Sequence, residues 1–253
     1  MAGRRSLLLT FDAFGTLFSP REPVAKQYLD VAAYFGIKGL TTTEVDERFR
    51  KAWKQMKIEK PNYGRATEDY SPEKWWTEVI ERTFPRHLHP LHPSLAPALL
   101  YQFSSDRGYV LHDDVHTLFR KLSVSPVLSG SPFATTTVGL ISNSDPRVSS
   151  VLTSLGVARH FQMHLYSYDI GHEKPEREIF DLAKEYATEG TVPDTEWTYI
   201  HVGDDPVEDY HGAQQAGWKA ILVDREGKLS SKAKADKLVV GSLEEVADII
   251  KQC

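Results

Sequence analysis

The length, composition and charge of the chain exclude several classes of protein. Its 253 residues, 41% hydrophobic and 26% charged, are typical of a globular protein with one large domain or a core that carries an inserted subdomain. The net charge of −5 predicts no nucleic-acid partner, because lysine and arginine are spread along the chain. No apolar run approaches the ~20 residues that span a membrane, so we expect no membrane partner. The single cysteine, Cys253, excludes an intrachain disulfide, and we expect an intracellular, cytoplasmic protein without a secretory leader.

The first predicted element is a buried strand. Residues 7–11 form a short apolar run that ends at Asp12 and is followed by Gly15, as in a strand that runs into a turn. Four helical patterns follow, each with apolar residues at helical spacing or a capping residue at its start. They cover residues 23–35, 43–57 with Thr43 as the cap, 71–80 and 94–104. Trp75 and Trp76 lie ~100° apart on a helix, so we expect one to pack inside the helical segment and the other to line its cleft with the core.

The rest of the chain alternates strands with helices. Strand patterns cover residues 137–142, 161–168, 197–203 and 219–224, and helical patterns cover residues 146–155, 175–188 and 206–216. This alternation implies right-handed crossovers and a parallel sheet. We therefore predict an α/β fold with a doubly wound, Rossmann-like parallel sheet. Residues 1–18 and 107–253 form its core, and residues 19–106 form an all-helical cap inserted after the first strand.

Polar residues suited to catalysis lie beside the predicted strand ends. In chain order the segments are residues 11–17 (FDAFGTL), Ser142-Asn143, Lys174-Pro175 and Gly203-Asp204-Asp205, followed by Asp209. Ligands of open parallel sheets bind at the carboxyl ends of the strands, so this placement favours a site. Each segment is common by itself, but their order resembles the haloacid dehalogenase superfamily. The resemblance covers essentially the whole chain and puts the helical segment in the position of the family's cap.

The resemblance implies a nucleophile and a metal site. Asp12 matches the family's nucleophilic aspartate, which attacks phosphorus and forms an aspartyl-phosphate. Asp12, Asp204 and the backbone carbonyl of Phe14 would together hold a Mg²⁺ ion, which prefers hard oxygen ligands. The roles of Asp205 and Asp209 stay open. Each could hold a metal ligand in place without contacting the ion, and Asp209 could instead cap the following helix.

The resemblance also implies the groups that bind the phosphoryl oxygens. Ser142 matches the hydroxyl that holds one of these oxygens, and Asn143 would add an amide donor to it. Lys174 matches the cation that orients the nucleophile and neutralises charge in the transition state. The implied partner is a small phosphorylated substrate that the helical cap selects.

One residue departs from the family's phosphatase pattern. Most phosphatases of the family carry a second aspartate two residues after the nucleophile, where this chain has Phe14, which cannot transfer a proton. Three hypotheses follow. The chain is a phosphatase or phosphotransferase whose leaving group needs little protonation, a non-catalytic binding or scaffold protein that keeps the fold, or a metal-independent 2-haloacid dehalogenase, whose halide leaves without a proton. The acidic residues of the Gly203-Asp204-Asp205 segment favour the first over the dehalogenase.

Overall fold

A six-stranded parallel sheet carries the residues singled out by sequence. The computed structural model describes residues 5–123, 132–191, 195–229 and 237–252, so Cys253 lies outside the described residues. The strands are β1 (Arg5–Phe11), β2 (Phe18–Pro20), β3 (Tyr109–Leu111), β4 (Thr135–Ser142), β5 (Met163–Tyr166), β6 (Glu196–Gly203), β7 (Lys219–Val223) and β8 (Val239–Val240). The large sheet has the order β5-β4-β1-β6-β7-β8, while β2 and β3 form a separate pair.

Helices make up most of the remaining described chain. They are α1 (Val24–Tyr34), α2 (Thr42–Glu59), α3 (Pro61–Gly64), α4 (Pro72–Thr83), α5 (Leu95–Gln102), α6 (Asp114–Ser123), α7 (Arg147–Ser154), α8 (Ser167–Ile170), α9 (Arg177–Thr188), α10 (Gly212–Gln215) and α11 (Leu243–Ile250). A π-helical turn at Pro206–His211 precedes α10. Among the described residues, no helix combines the length and apolarity needed to cross a membrane.

The predicted fold class is confirmed. Strand β1 lies in the middle of the sheet, where its apolar residues Leu7, Leu8 and Leu9 are fully buried. It pairs in parallel with β4 on one side and β6 on the other, with Phe11 opposite both Leu140 and Val202. This register places the carboxyl ends of three strands side by side, at the point where the strand order reverses.

Two local predictions were wrong. The cap of α2 is Thr41 and not Thr43. Thr41 Oγ1 accepts from the Glu44 backbone N–H, and the Glu44 carboxylate accepts from the Thr41 backbone N–H, which completes a capping box. The strand predicted over residues 161–168 ends at Tyr166, since its partner β4 ends opposite, at Ser142, and α8 begins directly afterwards.

The described residues fall into two compact units. The sheet unit comprises residues within Met1–Ser19, Leu111–Asn143 and Arg159–Cys253, and the helical unit comprises Pro20–Val110 and Ser144–Ala158. The helical unit has its own core, in which Trp75 is 1% exposed, as expected for one of the two adjacent tryptophans. Residues 144–158 group with the helical unit, so these units differ there from the predicted core and cap, whose boundaries stay a prediction.

Candidate active site

Asp12 lies directly after the central strand β1. Its backbone N–H donates to the carbonyl oxygen of Val202 at 2.9 Å, which ties this residue to the neighbouring strand β6. Asp204 follows β6, and Ser142 ends β4 on the other side of β1. The structure therefore brings these three predicted residues to one edge of the sheet.

Lys174 joins the candidate nucleophile to a second carboxylate. Its Nζ donates to Asp12 Oδ1 at 2.6 Å, to Asp209 Oδ1 at 2.7 Å and to the carbonyl oxygen of Ile141 at 2.8 Å. The side chain of Lys174 is 1% exposed. Burial lowers the pKa of Lys174, but Asp12 and Asp209 outweigh this effect and raise it above its ordinary value. The ammonium therefore stays charged and has all three hydrogens engaged.

Asp209 is held by donors on both carboxylate oxygens. Oδ1 accepts from Lys174 and lies 3.1 Å from His201 Nε2, and Oδ2 accepts from the backbone N–H of Asp205 at 2.9 Å. On the other side of the imidazole, His201 Nδ1 lies 2.8 Å from Thr10 Oγ1. A buried chain of polar contacts thus runs from Thr10 through His201, Asp209 and Lys174 to Asp12.

Three carboxylates converge in this part of the sheet unit. Carboxylate oxygens of Asp12, Asp204 and Asp209 lie within 4.8 Å of one another. Burial raises the pKa of Asp12 to about 8 against the charge of Lys174, and the neighbouring carboxylates add to the rise. Burial also raises the pKa of Asp204. Because one lysine does not offset three carboxylates, the cluster fits a bound divalent cation.

The ligand positions that fit such a cation are Asp12 and Asp204, because Asp209 is already occupied by its donors. Thr16 Oγ1 donates to Asp204 Oδ1 at 2.8 Å and so orients that carboxylate. Gly15 has a φ of +78°, and a Cβ at this position would overlap the carboxylate of Asp204, so a glycine is needed here. The structure does not test the carbonyl of Phe14 as a third ligand, and this role stays a prediction.

Asp205 and Asp209, whose roles were left open, are distinct in the structure. The side chain of Asp205 accepts from the backbone N–H groups of Val207 and Glu208 and caps the π-helical turn. The N–H groups of Asp209 and Tyr210 both bond to the carbonyl oxygen of Asp205, which produces the wide turn. The helix cap is therefore Asp205, and Asp209 belongs to the carboxylate cluster.

Ser142 and Asn143 differ in how their polar groups are engaged. Ser142 is 1% exposed, and within the described residues its hydroxyl has no recorded hydrogen bond. Asn143 donates from Nδ2 to Lys174 O at 2.7 Å and to Glu208 Oε2 at 2.9 Å, and its Oδ1 accepts from the Lys174 N–H at 2.6 Å. Asn143 thus fixes the backbone of Lys174, and its predicted contact with a phosphoryl oxygen stays a prediction.

Phe14 presents an aromatic ring two residues after Asp12. Its side chain is 38% exposed and packs edge to face on Phe18, with 4.8 Å between ring centroids. Beside Asp204, a pocket of about 260 Å³ is lined by residues of the same unit that include Ser19, His112 and Arg225. The sheet unit therefore offers open space next to the carboxylate cluster.

Sequence reasoning missed Thr10, Thr16 and His201. Thr10 and His201 are paired directly across β1 and β6, and each is a polar residue between two apolar neighbours in its strand. That interruption is a signal by which both residues could have been found, because a buried polar group needs a partner. Thr16 gave no comparable signal, since a threonine in a turn is ordinary.

Known proteins resemble the chain over most of its length. The family model of haloacid dehalogenase-like hydrolases matches residues 8–217. An uncharacterised hydrolase of Schizosaccharomyces pombe is 33% identical over 219 residues, which cover 86% of this chain and 90% of that protein. Haloacid dehalogenase-like hydrolase domain-containing protein 3 of Mus musculus is 30% identical over 217 residues, with 85% and 81% covered.

Solved structures show the same fold. The magnesium-bound HAD-hydrolase YfnB of Bacillus subtilis matches with a TM-score of 0.65 at 17% identity, covering 98% of this chain and 99% of that one. A 2-haloacid dehalogenase of Pseudomonas syringae matches with a TM-score of 0.62 at 22% identity, covering 97% and 98%. At such identities the likeness concerns the fold, whereas the family match rests on sequence. The chain belongs to the family of haloacid dehalogenase-like hydrolases.

Proposed function

We propose that this hydrolase is a Mg²⁺-dependent phosphatase or phosphotransferase that acts through Asp12 on a small phosphorylated substrate. The observation that carries the proposal is the convergence of Asp12, Asp204 and Asp209 within 4.8 Å around a single lysine. A metal-independent mechanism gives no reason to assemble that much negative charge. A divalent cation bound by Asp12 and Asp204 supplies positive charge next to the phosphoryl oxygens.

The side chains of the cluster have separate tasks. Lys174 holds Asp12 through Oδ1 and adds positive charge beside it, while Ser142 has a hydroxyl available to donate to a phosphoryl oxygen. An oxygen of Asp12 attacks phosphorus, and the bond from phosphorus to the leaving oxygen breaks, with its electron pair on that oxygen. Water then attacks the aspartyl-phosphate, restores the carboxylate and releases inorganic phosphate.

Phe14 narrows the class of substrate. Its ring transfers no proton, so the leaving oxygen departs without help from this position. We infer a substrate whose leaving group is a weak base, such as an acyl or aryl phosphate. The aromatic ring at this position also favours a second candidate, a 2-haloacid dehalogenase, because a halide leaves without being protonated.

One experiment separates these functions. Phosphate release from acetyl phosphate and 4-nitrophenyl phosphate is measured against Mg²⁺ concentration, in parallel with chloride release from 2-chloropropionate in the presence of a chelator. Asp12→Asn serves as the blank, and Asp113→Asn, which alters an exposed aspartate, is the matched control. We expect phosphate release that needs both Mg²⁺ and Asp12. Chloride release in chelator assigns the dehalogenase function. The absence of Asp12-dependent turnover on these substrates and on a wider panel of phosphorylated metabolites favours a non-catalytic role.

A further inference from the structure

The helical unit contains a small cavity that the proposed function does not use. Its volume is about 60 Å³, and all of its lining residues belong to that unit. Much of its wall is apolar, with Val24, Ile80, Leu99 and Phe103 among the contributing side chains. Polar side chains in the wall are Tyr28, Tyr109 and Arg147, which begins α7.

Tyr28 adds a phenol hydroxyl to the wall of the cavity. The residue is 2% exposed, and in the described parts of the chain its phenol oxygen has no recorded hydrogen bond. Burial raises the pKa of Tyr28, so the hydroxyl stays protonated and can donate. Hydroxyls on side chains this enclosed usually have a hydrogen-bond partner in native proteins. This hydroxyl therefore points to a bound acceptor.

Arg147 offers a second donor while its charge is already offset. Its Nε and Nη2 donate to the two oxygens of Asp145 at 2.9 and 2.8 Å, and Trp76 Nε1 donates to Asp145 Oδ2 at 2.9 Å. The guanidinium carbon lies 4.9 Å from the centroid of the Trp76 ring. This arrangement fixes the guanidinium and leaves Nη1 without a recorded partner among the described residues.

We propose that this cavity binds a small neutral carbonyl compound, or the carbonyl end of a larger one, with Tyr28 and Arg147 as donors to its oxygen. The apolar wall suits a body of about three carbon atoms, because 60 Å³ is the share of about two water molecules and far below the about 150 Å³ of a cavity that holds benzene. Two waters fit less well, since most of the wall is apolar and each water needs two to four polar partners. An anion fits less well because Asp145 already neutralises Arg147, and a further buried charge would be unpaired.

The test uses three probes that each have four non-hydrogen atoms in the same branched shape. Acetone is the neutral acceptor, acetate the anion and isopropylammonium the cation. Methyl resonances of Val24, Ile80 and Leu99 in the full chain are followed by NMR during titration with each probe. We expect saturable shifts with acetone only, with a dissociation constant on the order of millimolar for so small a ligand.

Three variants show whether acetone binds in the cavity. Tyr28→Phe removes only the hydroxyl and is expected to weaken acetone binding about tenfold. Tyr34→Phe, on the same helix and 89% exposed, is the matched control and leaves binding unchanged. Val24→Ile adds one carbon to the wall and is expected to block acetone while the methyl spectrum shows an intact fold.

The proposal is overturned by any of three results. These are the absence of saturation with acetone, equal binding by Tyr28→Phe, and tighter binding of acetate or isopropylammonium. The inference stands apart from the proposed phosphatase function, because Asp12→Asn lies in the sheet unit and should bind acetone like the unmodified chain. A protein without turnover can therefore still confirm or refute the cavity site.

Discussion

His201 Nε2 lies 3.1 Å from Asp209 Oδ1, the oxygen that also accepts from Lys174. Burial lowers the pKa of His201, although Asp209 opposes this, so the ring is neutral. A neutral ring that faces a carboxylate is stable with its hydrogen on Nε2, and Nδ1 then accepts from Thr10 Oγ1 at 2.8 Å. The carboxylate thus sets the tautomer, which the Thr10 hydroxyl accommodates because it can donate or accept, and Asp209 in turn holds Lys174.

We predict that His201→Leu lowers turnover about 10- to 100-fold, as is usual when a group that orients a catalytic or ligand side chain is lost. His201→Gln keeps an N–H donor and should recover most of the activity. The measurement is kcat for phosphate release at saturating Mg²⁺, with the unfolding midpoint of each variant recorded. Equal kcat for the leucine variant and the unmodified chain would show that Asp209 needs no support from the histidine.

Asp12→Asn is expected to abolish turnover and to stabilise the metal-free protein. The pKa of Asp12 is raised from 3.8 to about 8 in the folded state, so the folded chain binds the proton more tightly and stability falls as pH rises through this window. An uncharged amide avoids that loss, and we expect a gain on the order of 2 kcal/mol at pH 8 without metal. Urea denaturation at pH 5 and pH 8 tests this, since the gain should shrink at pH 5.

Phe14→Asp should raise phosphatase turnover on substrates with strongly basic leaving groups. A carboxyl at this position can protonate the leaving oxygen, a contribution of about 10²–10⁴-fold in rate. The increase should be small for 4-nitrophenyl phosphate and large for an alkyl phosphate. The ratio of kcat/KM for the two substrates, compared between variant and unmodified chain, measures it. An equal change in kcat/KM for both substrates would contradict the assignment of position 14 as the place of the missing acid.

The pair of Asp145 and Arg147 should make the helical unit sensitive to acid. Burial raises the pKa of Asp145, but the hydrogen bonds and charge of Arg147 outweigh it and lower the pKa. A lowered pKa adds stability that is present above the ordinary value of about 4 and is lost as pH falls below it. Asp145→Asn should cost about 1–3 kcal/mol at pH 7 and less at pH 3, as measured by urea denaturation. Asp46→Asn, in an exposed ion pair, is the control and should change little.

Much of the fold could be predicted because the chain separates its two kinds of pattern. Short apolar runs in the sheet unit predict buried strands. Apolar residues at helical spacing in the helical unit predict helices that are buried on one face. Asp12 and Asp204 could be placed together for a related reason, since parallel strands end at one edge. These inferences depend on local pattern and on the rules of strand connection alone.

Other features depend on side chains that are distant in sequence. The contact of Thr10 with His201 requires the register of β1 against β6, which the sequence pattern does not specify. The role of Asp209 depends on the wide turn after Asp205, which aims its carboxylate at Lys174. The sequence pattern predicts a helix over residues 206–216, but it does not specify the π-helical turn at Pro206–His211 that sets the direction of Asp209.

The grouping of residues 144–158 with the helical unit bears on how the protein can be recombined with its relatives. A chimera that exchanges residues 20–110 alone would separate Trp76 from Asp145 and Arg147, which lie outside that stretch of chain but inside the same unit. The partners of this contact would then come from two different proteins. Exchange of both stretches together preserves these contacts, so the helical unit is best exchanged as a discontinuous module.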